Sequence, residues 1–329
     1  MKRIVLRGLS AFLLLATVAA VVFYCNPLWV NDQYTRYHLW RSHVRSETID
    51  AGGYRLHYFE AVPPDGTAGI PLVLIHGLGA RAEDWSPMIP SLAAAGFHVY
   101  APDLLGYGRS AKPDVAYSIS LEENVVVNFM RAVGLQRADF DGWSMGGWIS
   151  AKLALDHPEM VDHLVLDDSA GLSYQLSFLR SAFVPTDAAG LERLINLMTP
   201  RPLVLPPYVV RATLRKIRHE ARIIQQTMDS MISGSDLLDT RLGNITQPTL
   251  VVWGTEDNLI PISVGMKMHR DIPDSVFEGI AGCGHLAPSE CARQVLAATI
   301  PFLKSQTATS EGKHIPPATA PAADRNTTR

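Results

Sequence analysis

Five residues constrain the fold of this chain more than any other feature: Gly142-Trp143-Ser144-Met145-Gly146. They read G-x-S-x-G. A strand-like run, Ala138-Asp139-Phe140-Asp141, precedes them, and an apolar, helix-like run from Gly147 to Leu155 follows. A strand that enters a helix through so tight a turn holds the central serine in a sparsely populated backbone conformation. Only very small residues two positions to either side avoid a clash there. Strand, tight turn and helix are the setting in which a serine hydroxyl is raised above a sheet as a nucleophile.

Around this turn the apolar pattern predicts an alternating α/β domain. Ile70-Pro71-Leu72-Val73-Leu74-Ile75 is a continuous apolar strand, as expected for a sheet covered on both faces. Phe97 to Ala101, Leu164 to Leu166, Thr249 to Trp253 and Val276 to Glu278 read as further strands. Thr48-Ile49-Asp50 and Tyr54 to Glu60 alternate around Gly52-Gly53 and predict a hairpin. Leu121 to Val133 is helical, with Ser120 as its expected cap and Glu123 completing a capping box. Strands that alternate with helices imply a mostly parallel, doubly wound sheet.

Residues 172–243 break the alternation. Leu191 to Met198 and Tyr208 to Ile232 have helical character, separated by Thr199-Pro200-Arg201-Pro202 and Pro206-Pro207. This predicts a helical cap inserted between two strands, roofing a pocket. Leu194, Leu197, Met198 and Met231 are expected as core residues of that cap. The organisation read from the sequence is an N-terminal segment over 1–30, a connector over 31–46, a first core part over 47–171, the cap over 172–243, a second core part over 244–304 and an Ala/Thr/Pro-rich disordered tail over 305–329.

The N-terminal segment stands apart from the core. Lys2, Arg3 and Arg7 make its start basic, and no charged residue follows until after Val30. A helix over Gly8–Cys25 would span roughly 27 Å, close to the hydrocarbon thickness of a bilayer. Tyr24 and Trp29 would then lie at the interface. An uncleaved single-pass anchor is expected over a cleaved signal peptide, because the apolar run continues past Val18-Ala19-Ala20 through Val21-Val22-Phe23. Arg36, Arg41 and Arg45 nearly balance the basic start. The tight N-terminal cluster tips the expectation towards a catalytic domain outside the cytoplasm.

The net charge is −3, with no long basic block, so nothing favours nucleic acid as a partner. Cys25, Cys283 and Cys291 show no Cys-x-x-Cys spacing, and no Cys/His set resembles a zinc site. No metal or cofactor is implied. Cys283 and Cys291 are expected as free thiols that would pair only in an oxidising compartment.

Five segments fall at the carboxyl ends of predicted strands, where open α/β sheets build their sites. They are His76-Gly77-Leu78-Gly79, Asp103 to Ser110, the Ser144 turn, Gly254-Thr255-Glu256-Asp257 and Gly282-Cys283-Gly284-His285. In their order and types these segments resemble the α/β-hydrolase superfamily, over roughly residues 48–304. The N-terminal anchor, with Ser169-Ala170-Gly171-Leu172 and Gly282-Cys283-Gly284-His285, resembles its membrane-anchored monoacylglycerol lipase branch and bacterial esterase relatives.

The resemblance implies a serine esterase or lipase in which Ser144 is the nucleophile, His285 the base and Asp257 its orienter. The backbone N–H groups of Leu78 and Met145 would form the oxyanion hole. A serine hydroxyl needs such a base at neutral pH. His76 is the main rival histidine and is expected to orient the oxyanion loop. Glu256 and Asp168 are the rival acids. Asp103, Arg109 and Ser110 are expected to shape a loop. Asp141 is anomalous: a carboxyl inside the central strand must be protonated or paired, and His76 or a nearby backbone group is its expected partner. The expected substrate is a lipid-like carboxylic ester. The alternatives are carbon–carbon bond or peptide hydrolysis on the same three residues, or a non-catalytic scaffold. Epoxide hydrolase and haloalkane dehalogenase activities are disfavoured, because relatives with them carry aspartate where this chain has Ser144.

Overall fold

The computed structural model describes residues 2–175, 178–201 and 203–311; the side chains of residues 2–9, 11 and 306–311 are not described. In chain order the elements are α1 (Lys2–Cys25), α2 (Pro27–Arg41), β1 (Arg45–Ala51), β2 (Tyr54–Ala61), β3 (Ile70–Ile75), α3 (Ile89–Ala94), β4 (Phe97–Pro102), α4 (Ile119–Ala132), β5 (Ala138–Trp143), α5 (Met145–Asp156), β6 (Val161–Asp167), α6 (Ala188–Met198), α7 (Pro207–Ser233), β7 (Thr249–Gly254), α8 (Ile262–Asp271), β8 (Val276–Ile280), α9 (Ala287–Glu290) and α10 (Ala292–Glu311).

The eight strands form one sheet in the order β1-β2-β4-β3-β5-β6-β7-β8. β1, β2 and β4 pair antiparallel, and from β4 to β8 every pairing is parallel. The order reverses around β3, because β4 lies on one side of it and β5 on the other. Each face of the sheet carries its own apolar core. Phe140, Ile149, Leu166 and Trp253 belong to one, and Leu74, Trp85, Phe97 and Val252 to the other. β3 and β7 are therefore apolar on both sides, as their Val/Ile/Leu-rich runs require, whereas β5 carries Asp139 and Asp141 between apolar neighbours.

The turn at Ser144 is held by contact rather than by propensity. Ser144 has φ +57° and ψ −118°, a conformation that L-residues rarely adopt. Helix α5 leaves it so close to β3 that a Cβ on Gly146 would lie 2.0 Å from the Ile75 carbonyl oxygen. A Cβ on Gly142 would lie 2.4 Å from the Gly146 carbonyl oxygen. Both glycines are thus set by backbone approach, and α5 is buried from Met145 through Ala154.

Three local expectations are corrected. Helix α4 begins two residues earlier than its pattern suggested: Ser118, not Ser120, caps it by accepting the Leu121 N–H at 3.0 Å. The Ser120 hydroxyl instead donates to Asp236 at 2.7 Å, and Glu123 pairs with Lys152 at 3.2 Å. Cys283 and Cys291 are not free thiols but a disulfide, because the short helix α9 folds Cys291 back to a Cα–Cα distance of 6.4 Å. At the far end, α10 continues past residue 304 to Glu311. The rest of the expected tail, 312–329, lies outside the described residues.

The N-terminal segment also departs from expectation. Among the described residues no single helix is long and apolar enough to cross a membrane. The apolar stretch Phe12–Cys25 ends at Asn26-Pro27, and the chain bends by 103° into the more polar α2. Only as a bent pair do the two helices have the length and composition of a span. The bend is fixed against the domain. Arg81 binds Asp32 through both terminal nitrogens, and Arg36 reaches Glu83 at 3.1 Å. Tyr208 packs on Phe23 and Tyr24, and Arg211 donates to the Tyr24 hydroxyl at 3.0 Å.

The tight approach at Gly146 makes a quantitative demand. Gly146→Ala is expected to cost at least about 3 kcal/mol, because neither the Ile75 carbonyl nor the buried α5 has room to give. Chemical denaturation of the purified variant checks this, and an unchanged midpoint would contradict the packing described.

Candidate active site

Three strand ends bring the expected site residues together. Ser144 follows β5, Asp257 lies in the loop after β7, and His285 lies in the loop after β8. His285 Nε2 is 2.8 Å from Ser144 Oγ, and His285 Nδ1 is 2.8 Å from Asp257 Oδ2. The other carboxylate oxygen of Asp257 accepts the N–H groups of Leu259 at 2.8 Å and Ile260 at 2.9 Å. Those bonds leave Oδ2 facing the imidazole. Burial alone would lower the pKa of His285, but the charge and hydrogen bond of Asp257 outweigh it, and the pKa rises above its ordinary value of 6.5.

The loop that carries His285 is fastened twice. The indole Nε1 of Trp143, next to the serine, donates to the His285 carbonyl at 2.6 Å. The Cys283–Cys291 disulfide closes the loop around the histidine. The serine backbone is held from below, with the Ser144 N–H donating to the Asp167 carbonyl at 2.9 Å.

The rival residues fall into other positions. Glu256 is exposed. Asp168 points at the backbone, accepting the Gly254 N–H at 2.7 Å. Burial, then the charge of Asp257, push its pKa up to about 8. It therefore braces the start of the acid loop. His76 is wholly buried. Its Nε2 accepts the Leu104 N–H at 3.0 Å, so the ring proton sits on Nδ1 and donates to the Gly77 carbonyl at 2.8 Å. Burial lowers its pKa and keeps it neutral. This ring ties the loop after β3 to the loop after β4.

Asp103 and Ser110 organise the second of those loops. Asp103 accepts the N–H groups of Ala82 and Arg109 and pairs with His57 at 2.7 Å. Burial opposes its charge, yet the His57 hydrogen bond and charge bring its pKa down to about 2. Ser110 Oγ donates to the Asp103 carbonyl at 2.6 Å. Arg109 lies over the Phe59 ring, away from the serine.

Asp141 does not meet His76. It faces Asp167 on the neighbouring strand, and no N–H donor among the described residues reaches either carboxyl. Burial drives the Asp141 pKa up to about 7, and the pKa of Asp167 rises well above the ordinary value from burial and its acidic neighbours. Two carboxyls in contact without a cation must share at least one proton.

The serine and histidine open on a cavity of about 410 Å³. Gly77 and Leu78 form its edge beside the serine: a Cβ on Gly77 would lie 3.1 Å from Ser144 Cβ. The cap supplies the roof. Leu191, Leu194 and Met198 of α6, with Ile217, Ile224 and Met228 of α7, make it mainly apolar. Leu194 and Met198 thus line the cavity rather than serving only as core, whereas Leu197 lies on a different face of α6. Sequence reasoning missed four charged lining residues, Asp84, Lys216, Glu220 and Glu290. The spacing of Lys216 and Glu220 with Ile217 and Ile224 on one face of α7 carried that signal.

A buried serine hydroxyl, a neutralisable imidazole and a carboxylate in hydrogen-bonded line, opening on an apolar chamber, can carry out nucleophilic acyl substitution. Comparisons with known proteins agree with the class. A family model describing the alpha/beta hydrolase fold matches residues 70–202. The 2-hydroxy-6-oxo-6-(2'-aminophenyl)hexa-2,4-dienoic acid hydrolase of Metapseudomonas resinovorans is 30% identical over 78% of this chain and 89% of its own length. The chain belongs to the alpha/beta hydrolase family. A second relative of this hydrolase, the 2-hydroxymuconate semialdehyde hydrolase of Pseudomonas putida, is 31% identical over 75% of this chain and 89% of its own. Among solved structures, a membrane phospholipase A described as a bacterial virulence factor superposes with a TM-score of 0.77 and 25% identity, covering 93% of this chain and 99% of that one.

The raised pKa of His285 sets a direction for the pH dependence of this hydrolase. The imidazole must be neutral to accept a proton, so kcat/KM should fall on the acid side with a midpoint above 6.5. In Asp257→Asn the midpoint should move down and kcat should drop by about 10⁴-fold. A pH profile of both proteins checks this, and an acid limb that Asp257→Asn leaves in place would contradict the pairing.

Proposed function

We propose that this chain is a serine hydrolase that cleaves carboxylic esters with apolar acyl chains, such as monoacylglycerols or medium-chain esters. The observation that carries the reading is the hydrogen-bonded line Asp257–His285–Ser144 at the floor of a largely apolar cavity. Ser144 Oγ attacks the ester carbonyl as His285 Nε2 takes its proton. Asp257 stabilises the imidazolium that forms. The backbone N–H groups of Leu78 and Met145 receive the developing oxyanion; losing one such donor typically costs ~2.7–4 kcal/mol. Collapse of the tetrahedral intermediate expels the alcohol, which takes the proton from His285. Water then hydrolyses the acyl-serine by the same steps in reverse order.

Carbon–carbon bond hydrolysis on the same residues is the second reading, and the names of the 30–31% identical relatives favour it. The cavity argues for the ester. The substrates named for those relatives include an acid, whereas the charged lining here comprises Asp84, Glu220 and Glu290 against the single ammonium of Lys216. An anionic substrate would enter against that balance, and a neutral ester would not.

The N-terminal helices belong to the same proposal. Phe12, Leu13, Leu14, Leu15, Val18 and Phe23 of α1 are exposed, a surface suited to lipid. The likeness to a membrane phospholipase A over most of the chain supports a membrane anchor of the monoacylglycerol lipase kind. The Cys283–Cys291 disulfide supports a catalytic domain outside the cytoplasm, because disulfides persist in oxidising compartments.

One set of assays tests these statements. Activity on p-nitrophenyl esters should rise from acetate to octanoate, exceed that on a 2-hydroxy-6-oxo-dienoate, and fall by about 10⁴-fold or more in Ser144→Ala. It should sediment with membranes and be destroyed by protease added to intact cells. Faster cleavage of the dienoate would overturn the ester reading. Activity in the soluble fraction would overturn the anchor, and activity that survives the protease would overturn the orientation.

A further inference from the structure

Helix α7 lines the cavity along one stripe: Thr213, Lys216, Ile217, Glu220, Ile224 and Met228. The stripe changes character along its length. Ile224 and Met228 face the same space as Phe183, and this end is apolar. Four residues earlier in the chain, Glu220 and Lys216 bring charge into the same chamber. Asp84 meets them from the loop that follows Gly77-Leu78-Gly79-Ala80, beside the serine.

None of the three spends its full hydrogen-bonding capacity on the protein. Lys216 Nζ stands 4.0 Å from Glu220 Oε2, too far for a tight ion pair. Asp84, which lines the cavity, accepts the Arg81 N–H on Oδ2 at 2.9 Å. Burial raises the Asp84 pKa, and the charges of Arg81 and then Lys216 act against the rise. Asp84, Lys216 and Glu220 are all partly exposed, so the chamber offers a ligand one ammonium and two carboxylates on an otherwise apolar wall.

We propose that Asp84, Lys216 and Glu220 form a subsite for the hydroxyl groups of a polyhydroxylated leaving alcohol, of which glycerol is the simplest. This rests on the ester reading above. The acyl chain takes the apolar end between Phe183, Leu194 and Met228, so the alcohol falls at the charged end. A hydroxyl donates one hydrogen bond and accepts others, so adjacent hydroxyls can bridge carboxylate and ammonium together. A phosphate or carboxylate headgroup would meet two carboxylates for one ammonium. A plain alkyl alcohol would offer the three groups no further hydrogen bond.

The test compares 1-decanoylglycerol with ethyl decanoate, two esters with the same acyl chain. Wild-type protein should favour the glyceryl ester in kcat/KM by about tenfold, the effect of one or two hydrogen bonds to charged groups. Lys216→Met and Glu220→Gln should each lower kcat/KM for the glyceryl ester several-fold more than for the ethyl ester. A wild-type preference near unity, or a preference that both variants preserve, would overturn the subsite while leaving ester hydrolysis intact. Failure of the wild type to cleave either ester would instead overturn the ester reading, and the subsite with it.

Discussion

The approach of helix α5 to strand β3 is the constraint on which the rest of the site depends. Gly146 sits where any side chain would meet the Ile75 carbonyl at 2.0 Å. That contact fixes the direction in which α5 leaves the sheet, and the direction fixes the left-handed backbone at Ser144. Strain of this kind costs of order 1–3 kcal/mol and persists only where packing over-determines it. Here two apolar cores press on the sheet from opposite faces, and α5 is buried along nearly its whole length. The result is a hydroxyl held at the floor of a cavity, with its backbone N–H already bound to Asp167.

Acidic groups surround that hydroxyl in three distinct states, and environment alone separates them. Asp257 accepts two backbone N–H groups on one oxygen and faces the imidazole with the other. Asp168 accepts a backbone N–H, but burial and then the Asp257 charge push its pKa up to about 8. Among the described residues, Asp141 and Asp167 find only each other as partners and must share a proton. Near Asp257 the two carboxyls are kept apart in function because one faces the histidine and the other faces the strand backbone.

Much of this was legible in the sequence because it rests on local rules. The apolar run of β3, the glycines at 142 and 146, and the strand-end positions of His76, Asp257 and His285 are signatures of backbone geometry. The partner of Asp141 was not legible, because Asp167 becomes its neighbour only through the parallel pairing of β5 with β6. The disulfide depended on a four-residue helix folding Cys291 back. Ser118 displaced Ser120 as the cap of α4 because the backbone is extended at Ser118, two residues earlier, and both serines are chemically able to cap. The cavity lining of α6 and α7 was visible as amphipathic spacing, yet which face met the core and which met the chamber was a matter of tertiary placement. The bend at Asn26-Pro27 likewise broke an apolar run whose length alone had suggested one straight span.

The central claim is that Ser144 is made reactive by His285 and Asp257 in the folded protein. Labelling with a fluorophosphonate, followed by mass spectrometry of the digested protein, tests it most directly. A single adduct on the Ser144 peptide is expected, formed rapidly in wild type, greatly slowed in His285→Ala and abolished on unfolding. An adduct on another serine, or labelling of Ser144 that His285→Ala leaves undiminished, would contradict it.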